Sequence, residues 1–159
     1  MDRVTFFEAA AEAPFLGGLT VSERRRLADL ARPLAVEPGT VLLREGSETT
    51  ELGIVRTGRV ALRLTVPMRG IHTILTVEPG DVFGWSALVP PFRSTSTAVA
   101  TEPTTGVVFP ARALREALDR DEELAAALYP RILRTVARRL EATRLQLLDL
   151  FAQDAGTPW

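Results

Sequence analysis

The stretch Leu52-Gly53-Ile54-Val55-Arg56-Thr57-Gly58-Arg59-Val60-Ala61-Leu62-Arg63-Leu64 decides the fold class. Two short runs of apolar and β-branched residues flank a turn at Gly58, where a positive φ costs glycine little. The same grammar continues on both sides, from residue 34 to residue 110. Val41-Leu42-Leu43, Ile71-His72-Thr73-Ile74-Leu75, Ser96-Thr97-Ala98-Val99-Ala100 and Gly106-Val107-Val108-Phe109 are separated by glycine and proline, with further turn glycines at Gly39, Gly46, Gly70 and Gly80. Several runs alternate with period two and recur roughly every 8 to 12 residues, the pattern of an all-β barrel or sandwich.

Helical signals flank this region. Thr20-Val21-Ser22-Glu23 is a capping box, in which threonine hydroxyl and glutamate carboxylate satisfy each other's backbone amides. Leu27, Leu30 and Ala31 follow at helical spacing and Pro33 ends the run, predicting a helix over 21–32 after a turn at 15–19. Residues 111–119 form a short helix candidate, and Asp121-Glu122-Glu123 places negative charge at the start of a longer one. Pro130 is expected to kink or split that helix, because it cannot donate to the carbonyl of Ala126. Leu133, Val136, Leu140, Thr143, Leu147 and Leu150 then step by three and four, a heptad seam that predicts a partner helix and hence a homodimer. The alternative is a helix packed on its own barrel. The reading is thus one mainly β domain over 1–159, with an N-terminal helical segment at 14–33, a β region at 34–110 and C-terminal helices at 111–151.

Composition narrows the function. With 159 residues, 46% hydrophobic and 25% charged, the chain is one globular domain with room for a core. The net charge of −1 lacks the positive excess of a nucleic-acid binder, so direct DNA binding is not expected. All 19 basic residues are arginine, which removes Schiff-base and P-loop lysine chemistry. Zero cysteines exclude a disulfide framework or a thiolate site and fit a reducing cytoplasm. The longest uncharged run, 82–92, has eleven residues and includes prolines, whereas a membrane span needs about 20 apolar residues.

Three motifs carry a resemblance. Pro38-Gly39-Thr40-Val41 with Glu45-Gly46, followed by the stretch from Leu52 to Val60, resembles the opening of the β-roll in the cyclic-nucleotide-binding domain of the catabolite activator family. Gly80-Asp81-Val82-Phe83-Gly84 followed by Arg93-Ser94 resembles its phosphate-binding cassette, and Ala137-Arg138-Arg139-Leu140-Glu141-Ala142-Thr143 its central dimerisation helix. The resemblance covers about residues 14–150. It implies a double-stranded β-helix, a jelly-roll-like β-roll, with a long C-terminal dimerisation helix and a cyclic nucleotide such as cAMP as ligand. Relatives that regulate transcription continue into a helix-turn-helix module; here only 152–159 follow Phe151, so an effector domain signalling to a protein partner is expected.

The cassette also makes chemical sense by itself. A cyclic phosphodiester carries one negative charge and needs fixed donors, which a short helix start at Gly84, Ser86 and Ala87 and the fork of a buried arginine can supply. Arg93 is the lone charge in the stretch from 82 to 100, and Ser94 follows it. Such a charge-assisted pair is worth roughly 1.5–3 kcal/mol. In nucleotide-binding relatives a glutamate follows the glycine matching Gly84 and accepts from the ribose; Trp85 stands there, and indole only donates. The lost bond costs about 1–3 kcal/mol, roughly ten- to a hundredfold in affinity. Trp85 is expected either to stack on a flat ligand or to pack in the roll. Thr143 matches the hydroxyl residue with which relatives reach the purine, and Arg144 follows it. In the heptad, Arg139 falls at g and Arg144 at e, where like charges approach across a parallel pair; either the side chains snorkel outward or an acidic group, an anionic ligand or Glu141, sits between them.

No catalytic constellation or metal site is expected. His72 is the single histidine and sits in an alternating strand, and Asp119, Asp121, Glu122 and Glu123 read as helix-start charge. The two function classes left are a non-enzymatic ligand sensor and a degenerate sensor kept as a dimeric interaction module.

Overall fold

The computed structural model describes residues 3–156. Two helices, α1 (Arg3–Ala10) and α2 (Val21–Leu30), flank a 3₁₀ turn at Pro14–Leu16. Eight strands follow: β1 (Arg32–Val36), β2 (Val41–Leu43), β3 (Glu51–Thr57), β4 (Val60–Val66), β5 (Gly70–Val77), β6 (Val82–Phe83), β7 (Thr97–Ala100) and β8 (Thr104–Pro110). A second 3₁₀ turn, Trp85–Ala87, separates β6 from β7, and helices α3 (Ala111–Arg120) and α4 (Glu122–Ala155) close the chain. The strands form two antiparallel four-stranded sheets, β1-β8-β3-β6 and β2-β7-β4-β5. This is the β-roll with a long C-terminal helix that the sequence predicts.

Period-two alternation divides the β3/β8/β6 sheet between two cores. Leu52 and Ile54 of β3, Val82 of β6 and Val107 and Phe109 of β8 face the helices, where they meet Phe7, Leu16, Leu27, Leu114 and Leu128. Val55, Phe83 and Val108 face the other way and pack against Val60, Leu62, Val77 and Ala98 between the sheets. A sheet covered on both faces reads as a continuous apolar run, which is why 52–55 lacks polar positions. Two glycines fill inward positions because nothing larger fits. A Cβ on Gly53 would lie 2.0 Å from the Phe83 ring, and one on Gly106 would lie 2.1 Å from the carbonyl oxygen of Ile54.

The capping box forms as read: the Thr20 hydroxyl accepts from the Glu23 amide at 3.1 Å, and the Glu23 carboxylate accepts from the Thr20 amide at 2.9 Å. Asp121 caps α4 by accepting from the Leu124 amide at 3.0 Å, and it is paired with Arg26 of α2. The Leu124 amide first, then Arg26, hold the Asp121 carboxyl below its ordinary range, with desolvation opposing them. Three boundaries differ from the sequence reading. Helix α2 ends at Leu30, and β1 already begins at Arg32, since Pro33 is tolerated in a strand at the sheet edge. Strand β6 is two residues long, too short for any periodicity to show. Pro130 does not split the last helix: α4 runs unbroken for 34 residues with Pro130 inside it, because the surrounding turns keep their bonds and Leu128 and Ile132 are packed in the core.

Gly106→Ala is expected to cost at least 1–3 kcal/mol, roughly the overpacking range, because the obstructing atom is backbone and cannot rotate away. Gly39→Ala meets open space and should cost only about 1 kcal/mol for its positive φ. Urea denaturation of the two variants checks this; equal midpoints would show that the sheets spread to admit the methyl group.

Candidate ligand cavity of the cassette

Strand β6 starts the cassette by pairing with β3, with Phe83 opposite Gly53 and Val82 opposite Ile54. Gly84 then turns at φ 81°, a left-handed conformation, so close to the Glu51 carbonyl that a Cβ would lie 2.3 Å from its oxygen. The chain proceeds into the Trp85–Ala87 turn, whose Ala87 amide donates to the Gly84 carbonyl at 3.0 Å. The return segment is tied to the β2–β3 loop. The Thr49 amide donates to the Phe92 carbonyl at 2.8 Å and the Ser94 amide to Ser47 at 2.9 Å, while the buried hydroxyls of Thr49 and Ser94 share a bond of 2.7 Å. From α3, Arg115 donates to the Ala87 carbonyl at 2.7 Å and lies over the Phe92 ring at 4.2 Å. The loop is therefore pinned from both sides.

A cavity of about 20 Å³ lies inside this loop, lined by Leu43, Leu62, the residues 84–86, Ser94, Thr95, Ser96 and Arg139. That is room for about one water molecule. Larger grooves lie on the outer surface, among them one of about 490 Å³ lined by Pro14, Phe15 and arginines of α4.

The structure brings together Gly84, Trp85, Ser86 and Ser94 of the residues expected from sequence. Ser86 and Ser94 are buried, and Trp85 is half-buried, packed against the helix-side core while lining the cavity. The Ala87 amide, expected as a donor to ligand, is spent within the turn. Arg93 is not the enclosed fork the sequence suggests. It is exposed, donates to the Gly46 carbonyl at 2.9 Å, and lies outside the cavity lining. Its backbone is held by an isolated antiparallel bridge to Glu48. Thr143 and Arg144 are exposed on α4, and Thr143 donates to the Arg139 carbonyl at 2.8 Å, so within one chain neither reaches the cassette. Of the seam, Leu133, Leu140, Leu147 and Leu150 are each more than half exposed, while Val136 packs against the chain's own core. His72 Nε2 lies 2.9 Å from the Arg69 carbonyl, a local contact at a turn.

The residue that sequence reading placed elsewhere is Arg139. Expected at heptad position g, beside the seam and facing a partner helix, it instead turns onto its own roll, donates to the Val82 carbonyl and stands 3.5 Å from the Asp81 carboxylate, its side chain 14% exposed. Burial pushes its pKa down, with Asp81 opposing and Arg138 adding to the fall. Arg139 and its partners Asp81 and Val82 lie far apart in the chain, so no local signal in the sequence marks the contact. Asp81 also accepts from the Val82 amide at 2.8 Å, which fixes the carboxylate beside the cassette.

Comparison with known proteins agrees with this fold. The cyclic nucleotide-binding domain family matches residues 33–121. The chain is 34% identical over 144 residues to the acetyltransferase Pat of Mycolicibacterium smegmatis, covering 89% of this chain and 41% of that protein. It is 30% identical over 149 residues to the CRP-like cAMP-activated global transcriptional regulator of Mycobacterium tuberculosis, covering 92% and 64%. The chain thus spans less than two thirds of the length of either curated relative. A solved cyclic nucleotide-binding domain from Methylobacillus flagellatus aligns with a TM-score of 0.78 over 92% of this chain and 83% of its own, at 24% identity, a likeness of fold. With its two-sheet roll, its glycine-anchored cassette and its long terminal helix, this chain belongs to the cyclic nucleotide-binding domain family.

Proposed function

We propose that the chain is a cytoplasmic, non-enzymatic regulatory domain whose cassette recognises a cyclic nucleotide or another small phosphate-bearing anion, and whose helix α4 passes the signal to a protein partner. One observation carries this reading: a largely buried guanidinium and the buried hydroxyls of Ser86 and Ser94 converge on one cavity in the loop that faces the family's ligand. Enclosing a guanidinium is costly unless charge and hydrogen bonds compensate it, and an anion supplies both. cAMP itself should bind weakly, since Trp85 offers no acceptor to a ribose hydroxyl.

A specific observation favours a second reading, a degenerate cassette in a dimeric interaction module. Free space of about 20 Å³ is far below the roughly 300 Å³ at which small-molecule sites begin, and Trp85 is part of what fills it. Ligand entry therefore requires α4 or the turn to move. Calorimetric titration with cyclic and linear nucleotides and inorganic phosphate separates the readings, together with melting curves. A ligand at a hundredfold excess over its Kd adds about 2.7 kcal/mol to stability, whereas a plugged cassette leaves the melting temperature unmoved. Trp85→Glu sharpens the result. Restoring the acceptor should raise cAMP affinity roughly ten- to a hundredfold in a cassette that opens, and do nothing in one that has collapsed.

Homodimerisation through α4 is part of the proposal, supported by the apolar stripe of Leu133, Leu140, Leu147 and Leu150 that the roll leaves uncovered. Leu140→Glu should convert a dimer into monomers by light scattering; a dimer that survives the change puts the interface elsewhere.

A further inference from the structure

Helix α4 carries a second row of side chains besides its leucine seam. Arg131, Arg134, Arg138, Glu141, Leu145 and Leu148 recur in steps of three and four, each two positions before a residue of the seam. Two positions are about 200° around a helix of 3.6 residues per turn, so the row runs along the flank turned away from the seam. Its first half faces the 3₁₀ turn at Pro14–Leu16 across the groove of about 490 Å³, lined by Pro14, Phe15 and Gly17 on one side and by the three arginines and Glu141 on the other. Arg131 donates to the Gly17 carbonyl and ties that wall to the helix. Arg134 and Arg138 are exposed, the latter 3.5 Å from the Thr135 hydroxyl. Among the described residues no carboxylate forms a salt bridge with any of the three. The second half of the row is apolar, with Leu145 57% and Leu148 63% exposed.

We propose that this flank of α4 is the docking surface for an acidic segment of a protein partner, with carboxylates on Arg131, Arg134 and Arg138 and apolar side chains over Leu145 and Leu148. The proposal deepens the reading of α4 as the route to a protein partner and rests on it, but not on what the cassette binds. Charge complementarity selects the occupant. Like charges three and four residues apart on a helix repel one another, and an acidic chain relieves that repulsion while each carboxylate matches the planar fork of a guanidinium. A nucleic acid would also meet the arginines, yet its phosphates are repelled by Glu141 and leave the two leucines uncovered. Glu141 gives the surface a direction: the row reads three cations, one anion and two apolar residues over about 26 Å of helix. A compact anion such as phosphate cannot span it. The seam stays free, so a second copy and the partner are held by different flanks of one helix.

The test is fluorescence anisotropy with a labelled helical peptide of about 20 residues, long enough to follow the row, that carries Glu, Glu, Glu, Lys, Leu and Leu at the same steps of three and four. Wild type should bind it, and raising NaCl from about 50 to about 500 mM should weaken binding at least about fivefold, because exposed ion pairs are screened. A peptide with lysine in place of its glutamates should not bind. Arg134→Gln combined with Arg138→Gln should weaken binding at least about tenfold, and Leu145→Gln with Leu148→Gln at least about fivefold. All four positions are exposed, so the fold survives these changes. Arg112→Gln with Arg120→Gln removes the same charge from the exposed face of α3 and should stay within about twofold of wild type. Equal losses from the two arginine pairs would reduce the effect to net charge and overturn the assignment. So would a duplex oligonucleotide that displaces the peptide, or a dimer that the Arg134 and Arg138 changes dissociate in light scattering, which would give the flank to a second copy. Binding that the arginine pair leaves unchanged but Leu133→Glu abolishes moves the partner to the seam, so that this surface falls and signalling through α4 stands. Binding indifferent to every change on α4 removes α4 as the route to a partner, and a wild type that binds no acidic peptide at low salt removes the acidic partner.

Discussion

The Phe83 ring occupies the space in front of Gly53, and the cassette depends on that contact. The ring lies where any side chain at Gly53 would stand, so β6 can pair with β3 only through this missing Cβ. One residue further, Gly84 presses against the Glu51 carbonyl in a left-handed turn that side-chain-bearing residues rarely adopt. Two close approaches on successive turns of backbone fix where the loop leaves the sheet. Everything downstream, from the Trp85–Ala87 turn to the Thr49–Ser94 bond, inherits its position from them. The loop is consequently tied closely to the sheet, and the element that crosses its mouth is held differently.

That element is α4, and its roll-facing side changes character along its length. Leu124, Leu128, Ile132 and Thr135 are buried at steps of four, four and three, seating the first half of the helix on the sheet. The same side then continues through Arg139 and Ala142 to Gln146, whose amide donates to the Ile74 carbonyl at 2.8 Å. From Arg139 onward, Arg139 and Gln146 hold the roll through side-chain hydrogen bonds to carbonyls, worth roughly 1.5–3 kcal/mol for the guanidinium and about 0.5–1.5 kcal/mol for the neutral amide. The flank turned away from the roll grows more apolar, with Leu140, Leu147 and Phe151 exposed. A helix that is polar toward its own domain and apolar toward solvent is weakly held inward and in need of cover outward.

How much of this the sequence discloses depends on whether the signal is local. Six of the eight strands follow from alternation and turn glycines, and the capping box reproduces atom for atom at Thr20 and Glu23. Strand β6 escapes because two residues carry no period, and β1 because Pro33 reads as a helix stop before it reads as an edge strand. Pro130 misleads for an energetic reason: one lost hydrogen bond is small against the burial of Leu128 and Ile132 on either side of it. At the site, Ser86, Ser94 and Trp85 are legible because they lie within the cassette motif. Arg139 is not, since periodicity reports which face of a helix a residue occupies only for the apolar stripe. A long, flexible arginine on the flank of that stripe reaches either way, and the choice is made by Asp81 and the Val82 carbonyl, 57 and more residues away in sequence.

Arg139 sits where the packing of α4 changes character. It stands at the change from the seated half to the weakly held half, and the helix is continuous through it. A rigid rod of about 1.5 Å per residue converts a small displacement near its middle into a larger one at its free end. Arg139 on Val82 and Asp81 and Gln146 on the Ile74 carbonyl tie the distal half of α4 to the roll, whereas Leu124, Leu128 and Ile132 seat its first half by burial.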